Sequence, residues 1–310
     1  MKIALTTSSF GKFSQEPIDL LEAANFKIVR NPHRRTLSEG EAIGLLQGCS
    51  GVVAGTEPLT ARLMDALPDL RVISRCGVGI DNVDMEAAER RGILVRSTPD
   101  GPTRAVAELT VAFALNLMRH VSRMDREMRA GQWKKRMGNL LHGKNVGIVG
   151  FGRIGRAVAE LFAAFGCPVA FFDPAVNDDQ GIFRCMDKES LLAWADIVTL
   201  HSSKPADGSY VLDAVHVARM KEGAWLINAA RGGNVDESAL ALALHEGVLA
   251  GAALDVYERE PYPYSGPLTR LPQVILTPHI GSYAKEARIL MEVDSVRNLI
   301  EGLRQVFGEI

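Results

Sequence analysis

Short apolar runs alternate with longer amphipathic stretches from one end of this chain to the other, and that alternation leaves few folds open. KIALT at residues 2–6, FKIV, GVVAG, RVISR and GILVR each read as a buried strand, and a helical pattern follows each one. The helix starts are written locally. Ser38 with Glu41 forms a capping box, Thr60 caps ARLMDAL, and Asp84 caps MEAAERR, which stops at Gly92. Strands joined through helices run parallel, because a tight turn can join only antiparallel neighbours. The pattern predicts one α/β unit over residues 1–98.

Thr103 to about His120 carries an apolar helical period with no Gly or Pro, and the basic, loop-like stretch Arg129 to Lys144 reads as an arm. A second series then follows: NVGIVG, PVAFF, DIVTL, AWLIN, GAALDV and QVILT. Six strands are the count of a complete dinucleotide-binding sheet. A last helical segment, Ala284 to Val306, either caps the second domain or returns to the first. The two series set a unit over 1–98 apart from one over 99–283, and the pattern leaves residues 284–310 open between them.

Composition narrows the function classes. The 310 residues are 47% hydrophobic and 23% charged, enough to bury substantial cores. With 37 acidic against 35 basic residues, the net charge of -2 offers no footprint for nucleic acid or an anionic membrane. No apolar stretch reaches the roughly 18 residues of a membrane span, and MKIALTT lacks a signal-peptide pattern, so a cytoplasmic protein is expected. Cys49, Cys76, Cys167 and Cys185 are scattered without metal spacing, which predicts buried thiols and no metal.

Directly after the strand NVGIV comes Gly150-Phe151-Gly152-Arg153-Ile154-Gly155, opening the helix RAVAELFAAF that ends at Gly166. In this strand–turn–helix setting, Gly150 makes the turn, Gly152 lets a pyrophosphate approach and Gly155 packs helix on sheet. The anion would rest on free N–H groups at the helix start. The next strand ends at Asp173, eighteen residues past Gly155, where a carboxylate suits ribose hydroxyls and repels a 2′-phosphate. NAD is the expected cofactor; the loop alone also admits another adenosine-type ligand, such as S-adenosylmethionine.

Arg231, Glu260 and His279 stand at or just after strand ends of the second series, where ligands gather in open parallel sheets. Singly, each also fits an ordinary role: a solvated arginine, an exposed carboxylate, a structural histidine. Together with their neighbours they carry a likeness. VGIVGFGRIG, NAARGGNVDE, GAALDVYEREP and ILTPHIG, in this order, with SRCGVGIDNVDMEAAERRGILV and RAVAELTVAFALNLMR before them, resemble the D-2-hydroxyacid dehydrogenase family, nearest its phosphoglycerate dehydrogenase branch.

The resemblance implies two doubly wound parallel-sheet domains, a Rossmann-type NAD-binding domain over 99–283 and a flavodoxin-like substrate domain built from both chain ends, 1–98 with 284–310, with the active site in the cleft. It implies that His279 is the acid/base, that Glu260 pairs with its imidazole, and that Arg231 binds the substrate carboxylate and reacting oxygen. Backbone N–H groups at Val78 and Gly79 would hold the carboxylate. Arg153, Ile154, Ser202 and Ala229 would join the glycines and Asp173 around NAD, and Asp255 would contact the nicotinamide carboxamide. A homodimer joined through the helix after residue 101 and an arm near Trp133 is implied as well.

Departures from the family pattern bear on substrate. Ala54 stands where the phosphoglycerate branch places a phosphate-binding arginine, and Glu57, if it faced the ligand, would repel a phosphate. Arg75, or Lys134, Lys135 and Arg136 on the arm, could replace the missing cation. Hydroxypyruvate, glyoxylate or another 2-oxo acid thus stands beside 3-phosphohydroxypyruvate. HSSKPADG lacks a proline usual near the adenine, and with the chain stopping at Ile310 no C-terminal regulatory domain is expected. The same fold serves NAD-sensing corepressors and phosphite or formate dehydrogenases; formate enzymes typically carry Gln beside the histidine, so Glu260 argues against that one.

Overall fold

A computed structural model of the chain describes residues 1–308. The chain divides into two compact units, Met1–Pro102 with Ser282–Ile310, and Thr103–Gly281. The expected boundaries at 98/99 and 283/284 lie a few residues from these.

The first unit alternates β1 (Lys2–Leu5), α1 (Glu16–Ala23), β2 (Lys27–Arg30), α2 (Glu39–Leu46), β3 (Gly51–Ala54), α3 (Ala61–Asp65), β4 (Val72–Arg75), α4 (Met85–Arg90) and β5 (Leu94–Ser97). All five strands are parallel, in the order β2-β1-β3-β4-β5. The local signals act as the sequence predicts. Glu41 accepts from Ser38 N at 2.8 Å, Thr60 Oγ1 accepts from Leu63 N at 3.2 Å, and Asp84 Oδ1 accepts from Ala87 N at 2.9 Å. One face of the sheet buries Leu46, Leu63, Met64 and Ala87; the other buries Ile18, Leu21, Val296, Leu299 and Leu303.

α5 (Asp100–Arg119) starts three residues before Thr103, with Pro102 in a first turn where a missing N–H costs nothing. His120, at φ 53°, ends it, and α6 (Val121–Arg129) follows where the sequence suggests no element. No α6 residue is buried; pairs at i,i+4, Arg123–Glu127 at 3.4 Å and Asp125–Arg129 at 3.0 Å, support it instead. The arm beyond it is irregular and exposes Trp133, Met137 and Leu140.

The second unit continues with β6 (Val146–Val149), α7 (Arg153–Ala164), β7 (Val169–Phe172), β8 (Arg184–Cys185), α8 (Lys188–Trp194), β9 (Ile197–Leu200), α9 (Ala214–Arg219), β10 (Trp225–Asn228), α10 (Glu237–His245), β11 (Gly251–Leu254) and β12 (Val274–Leu276). Its parallel sheet has seven strands, β12-β11-β10-β9-β6-β7-β8, rather than the six expected. The additional β8 is a two-residue edge, too short to show a period in sequence. Strand order reverses between β6 and β9, the switch point at whose carboxyl side ligands bind in such sheets. The central strands β6, β9, β10 and β11 are wholly buried, and Phe151 stacks on Phe171 with ring centroids 3.8 Å apart.

α11 (Lys285–Phe307) belongs to the first unit and packs on α1, β3, β4 and β5. Of the two placements open for it in sequence, it takes the return to the first domain. Among the described residues no helix is long and apolar enough to cross a membrane, and no cluster of three or more His, Cys, Asp or Glu could hold a metal.

Candidate active site

The glycine loop lies at the switch point, and each glycine meets a distinct physical demand. Gly150, directly after β6, has φ 95°, and a Cβ there would lie 2.5 Å from Ser202 N at the exit of β9. A Cβ on Gly155 would sit 2.1 Å from Gly150 O, so α7 can start against the turn only without a side chain. Gly152, the N-cap of α7, is exposed, with nothing within 4 Å of its Cβ position. That open, side-chain-free helix start fits a pyrophosphate, which backbone N–H groups at a helix N-terminus suit. Arg153 and Ile154 form the first turn beyond it.

Asp173, at the exit of β7, is already oriented: Oδ2 accepts from Phe151 N at 2.7 Å and Oδ1 from Ala175 N at 2.8 Å. A carboxylate has about four acceptor sites, so two remain for hydroxyls. Ser202 is held by Asn234, whose Nδ2 donates to Ser202 O at 2.9 Å, and Ala229, 8% exposed, follows β10. The residues expected around NAD are therefore gathered at the carboxyl edge of one sheet.

At that edge His279 Nδ1 lies 2.9 Å from Glu260 Oε2, while Glu260 Oε1 accepts from Tyr257 N at 3.1 Å. The hydrogen bond to Glu260 raises the His279 pKa, burial opposes it, the charges of Glu260 and Asp255 add to the rise, and Arg231 detracts. For Glu260, burial pushes the carboxyl up, but the hydrogen bond and charge of His279, the Tyr257 N–H and Arg231 outweigh it and leave the group below its ordinary range. The pair thus favours carboxylate and imidazolium together. Asp213 and His216 form a similar pair at 2.6 Å, but there the aspartate is the N-cap of α9, away from a strand end.

His279 has φ 54°, a left-handed conformation that costs a non-glycine residue on the order of 1 kcal/mol and persists only where the surroundings enforce it. Asp255 supplies that enforcement. Its Oδ1 accepts from Thr277 Oγ1 at 2.6 Å and Ile280 N at 2.8 Å, and its Oδ2 from Gly281 N at 2.7 Å. Expected at the nicotinamide, Asp255 is foremost the clamp of the 277–281 loop. Arg231 donates through Nη1 to Ala230 O at 2.7 Å, and its own carbonyl accepts from Asn228 Nδ2 at 3.0 Å.

Several residues that set this geometry escape the sequence reading. Asn228, buried at the end of β10, also accepts from Ala230 N at 3.2 Å and so shapes the Arg231 turn; a polar residue closing an apolar strand is its signal. Tyr257 places its hydroxyl 2.9 Å from both Leu254 O and Thr277 O, bracing the loop that carries His279. Gly232 lies so close to Tyr257 that a Cβ would fall 1.7 Å from Tyr257 O. No sequence signal sets that glycine apart from Gly233.

In the first unit, Val78 and Gly79 lie on the loop after β4, and the Arg75 guanidinium packs over Gly77, where a Cβ would fall 2.7 Å from Nη1. Glu57 corrects the expectation of repulsion. It is 1% exposed, and its Oε1 accepts from the Thr6 hydroxyl and from Gly55 N at 3.1 Å, so the carboxylate turns inward and presents no charge to a ligand.

The glycine loop, the Glu260–His279 pair and Arg231 thus stand together at the carboxyl edge of one parallel sheet. Residues 111–281 match the model of the D-isomer specific 2-hydroxyacid dehydrogenase, NAD binding domain. The chain is 41% identical over 259 residues to a glyoxylate reductase of Thermofilum pendens, covering 80% of this chain and 76% of that one. It is 39% identical over 261 residues to a D-3-phosphoglycerate dehydrogenase of Rattus norvegicus, covering 82% of this chain but 49% of that one, so it spans about half the length of that relative. A solved structure of a Thermus thermophilus protein superposes with a TM-score of 0.90 at 36% identity, covering 98% of this chain and 97% of that one. The chain belongs to the D-isomer specific 2-hydroxyacid dehydrogenase family and carries its NAD-binding domain.

Proposed function

We propose that the chain transfers hydride between NAD(H) and C2 of a small, unphosphorylated 2-hydroxy or 2-oxo acid of the glyoxylate or hydroxypyruvate kind. The observation that carries this reading is the Glu260–His279 pair, 2.9 Å apart at a sheet edge that also bears Arg231. Gly150, Gly152, Arg153, Ile154, Gly155, Asp173, Ser202, Ala229 and Asp255 are assigned to NAD, and backbone N–H groups of Val78 and Gly79 to the acid's carboxylate.

When bound, NADH supplies the hydride from nicotinamide C4 to substrate C2. The chain's own part is proton and charge. Glu260 fixes Nδ1–H of His279, so Nε2 is the nitrogen that gives its proton to the C2 oxygen during reduction and takes it back during oxidation. The raised pKa keeps the imidazolium available above the ordinary histidine value. Arg231 holds the carboxylate with its planar fork and stabilises charge developing on the C2 oxygen. The carbonyl thus becomes C–H and O–H, and the imidazole is left neutral.

Ala54, fully buried in the core at the end of β3, supplies no cation for a phosphate, and the likeness to a glyoxylate reductase supports the smaller acid. The proposal extends to a homodimer joined through the arm, where Trp133 is 78% and Met137 95% exposed, and to a cytoplasmic location, which suits four unpaired thiols.

The test is NADH consumption with glyoxylate, hydroxypyruvate, pyruvate and 3-phosphohydroxypyruvate, for the wild type and His279→Asn. Turnover of an unphosphorylated acid, falling at least about a hundredfold in the variant while NADH binding persists, is expected. NADH binding without turnover of any acid would replace this reading with an NAD-sensing protein, and a fully active His279→Asn would remove the acid/base assignment.

A further inference from the structure

The loop that carries Glu260 is held by a second glutamate from another element. Glu237 opens α10 and is 9% exposed. The helix start does not need its carboxylate, because the N-cap Asp236 already accepts from Ser238 N and Ala239 N, both at 3.0 Å. Instead Glu237 Oε1 accepts from Glu258 N at 2.6 Å, and Glu258 Oε1 accepts from Glu237 N at 3.2 Å. This reciprocal clamp joins segments 21 residues apart and fixes residue 258. The preceding amide, Tyr257 N, goes to Glu260 Oε1. Two consecutive amides are thus each claimed by a glutamate, and the second of those glutamates pairs with His279.

We propose that Glu237 is a positioning residue for the acid/base pair: by fixing the 257–258 segment it sets where the Glu260 carboxylate meets His279 Nδ1. The inference rests on the roles of Glu260 and His279 given under Proposed function. The clamp is assembled against electrostatic opposition. Burial pushes the Glu237 carboxyl up, the Glu258 N–H pulls it down, and the charges of Glu258 and Glu260 push it up again. Glu258 is itself faced by the Tyr210 hydroxyl, which the charges of Asp236 and Glu237 also reach. A carboxylate placed among carboxylates is kept by the geometry of what it accepts, and the geometry here leads to Glu260.

The experiment follows the His279 ring by NMR in the NADH-bound protein, its resonance identified by loss in His279→Asn, alongside steady-state kinetics. Glu237→Ala is expected to lower the His279 pKa toward the ordinary value and to reduce kcat at least about tenfold, with the KM for NADH within about twofold. Glu237→Gln, which keeps an acceptor for Glu258 N, is expected to retain kcat within about threefold. In a His279→Asn background, Glu237→Ala should add less than about twofold, because its effect passes through the pair. A wild-type His279 titration and kcat in Glu237→Ala would overturn the proposal. If that variant does not fold, Glu237→Met, which fills the buried position but accepts nothing from Glu258 N, takes its place, and an unshifted His279 there overturns the proposal equally. Absence of turnover with every acid would count against the proposed reaction only, since the NMR titration decides the role of Glu237 without it.

Discussion

Substituting Gly232 by alanine tests whether the Arg231 turn and the Glu260 loop act as one rigid piece. The added Cβ would fall 1.7 Å from Tyr257 O and 2.3 Å from Tyr257 C, both backbone atoms that no rotamer change can move. Ordinary contact begins at about 3.5 Å, so the two segments must part by roughly 1.8 Å, or about 0.9 Å each if they share the shift. Arg231 is one residue from the clash, and Tyr257 N is the donor that orients Glu260. A displacement near 1 Å in such a constellation can cost about a hundredfold in rate, or about 2.7 kcal/mol of barrier. Overpacking should also remove about 1–3 kcal/mol of stability. The assays are kcat at saturating acid and NADH, NADH affinity by fluorescence, and thermal unfolding. The expected result is a kcat about a hundredfold lower with NADH affinity within about threefold of wild type. Gly233→Ala is the control: at φ 78°, with only the flexible end of Lys204 nearby, it carries backbone strain of about 1 kcal/mol and should slow the enzyme far less. A Gly232→Ala enzyme with kcat within threefold of wild type would refute the coupling.

The remaining predictions concern charge, cofactor and assembly. The His279 pKa is raised in the folded state, so its pairing stabilises fully below the ordinary value near ~6.5 and fades as pH climbs through the folded value. Glu260→Gln should therefore lower Tm more at about pH 6 than at about pH 9, and should move the alkaline fall of the reduction rate to lower pH; equal Tm losses at both pH values would dismiss the pairing. Asp173→Ala removes the carboxylate fixed by Phe151 N and Ala175 N, and should narrow the preference for NAD over NADP at least about tenfold, an unchanged ratio showing that ribose is held elsewhere. Met137→Glu, at a site 95% exposed, should convert a dimer to a monomer in light scattering, and an unaltered mass would place the interface off the arm.

What the sequence makes legible is what local rules govern. Strand runs, caps at Ser38, Thr60 and Asp84, and the glycine loop depend on residues within a few positions of one another, and each forms as its pattern implies. Arg231, Glu260 and His279 are legible as strand-end residues for the same reason. Their spacing in three dimensions is not. The 2.9 Å contact depends on Asp255 holding a left-handed His279, on Tyr257 bracing Thr277, and on Gly232 admitting the Tyr257 carbonyl. Those are contacts between segments some 20 or more residues apart, and no periodicity encodes them. β8 escapes because two residues carry no period, and α6 because its support is charge pairing rather than an apolar stripe.

Glu57 bears on the proposed substrate only through a charge facing the ligand, a condition its buried side chain does not meet. As a charge facing the ligand it would exclude phosphates by repulsion; buried at 1% exposure and bonded to Thr6 and Gly55, it excludes nothing. What remains against a phosphorylated acid is the lack of an arginine at Ala54, a missing attraction. The two causes predict different magnitudes. A buried unpaired charge facing a phosphate would abolish binding, whereas a lost charge-assisted hydrogen bond costs about 1.5–3 kcal/mol, or roughly 10- to 150-fold in kcat/KM. We expect 3-phosphohydroxypyruvate to be a poor substrate and not an excluded one, slower than hydroxypyruvate within that range. Complete exclusion of the phosphorylated acid by the wild type would restore repulsion as the cause and require the loop around Glu57 to open when ligand binds.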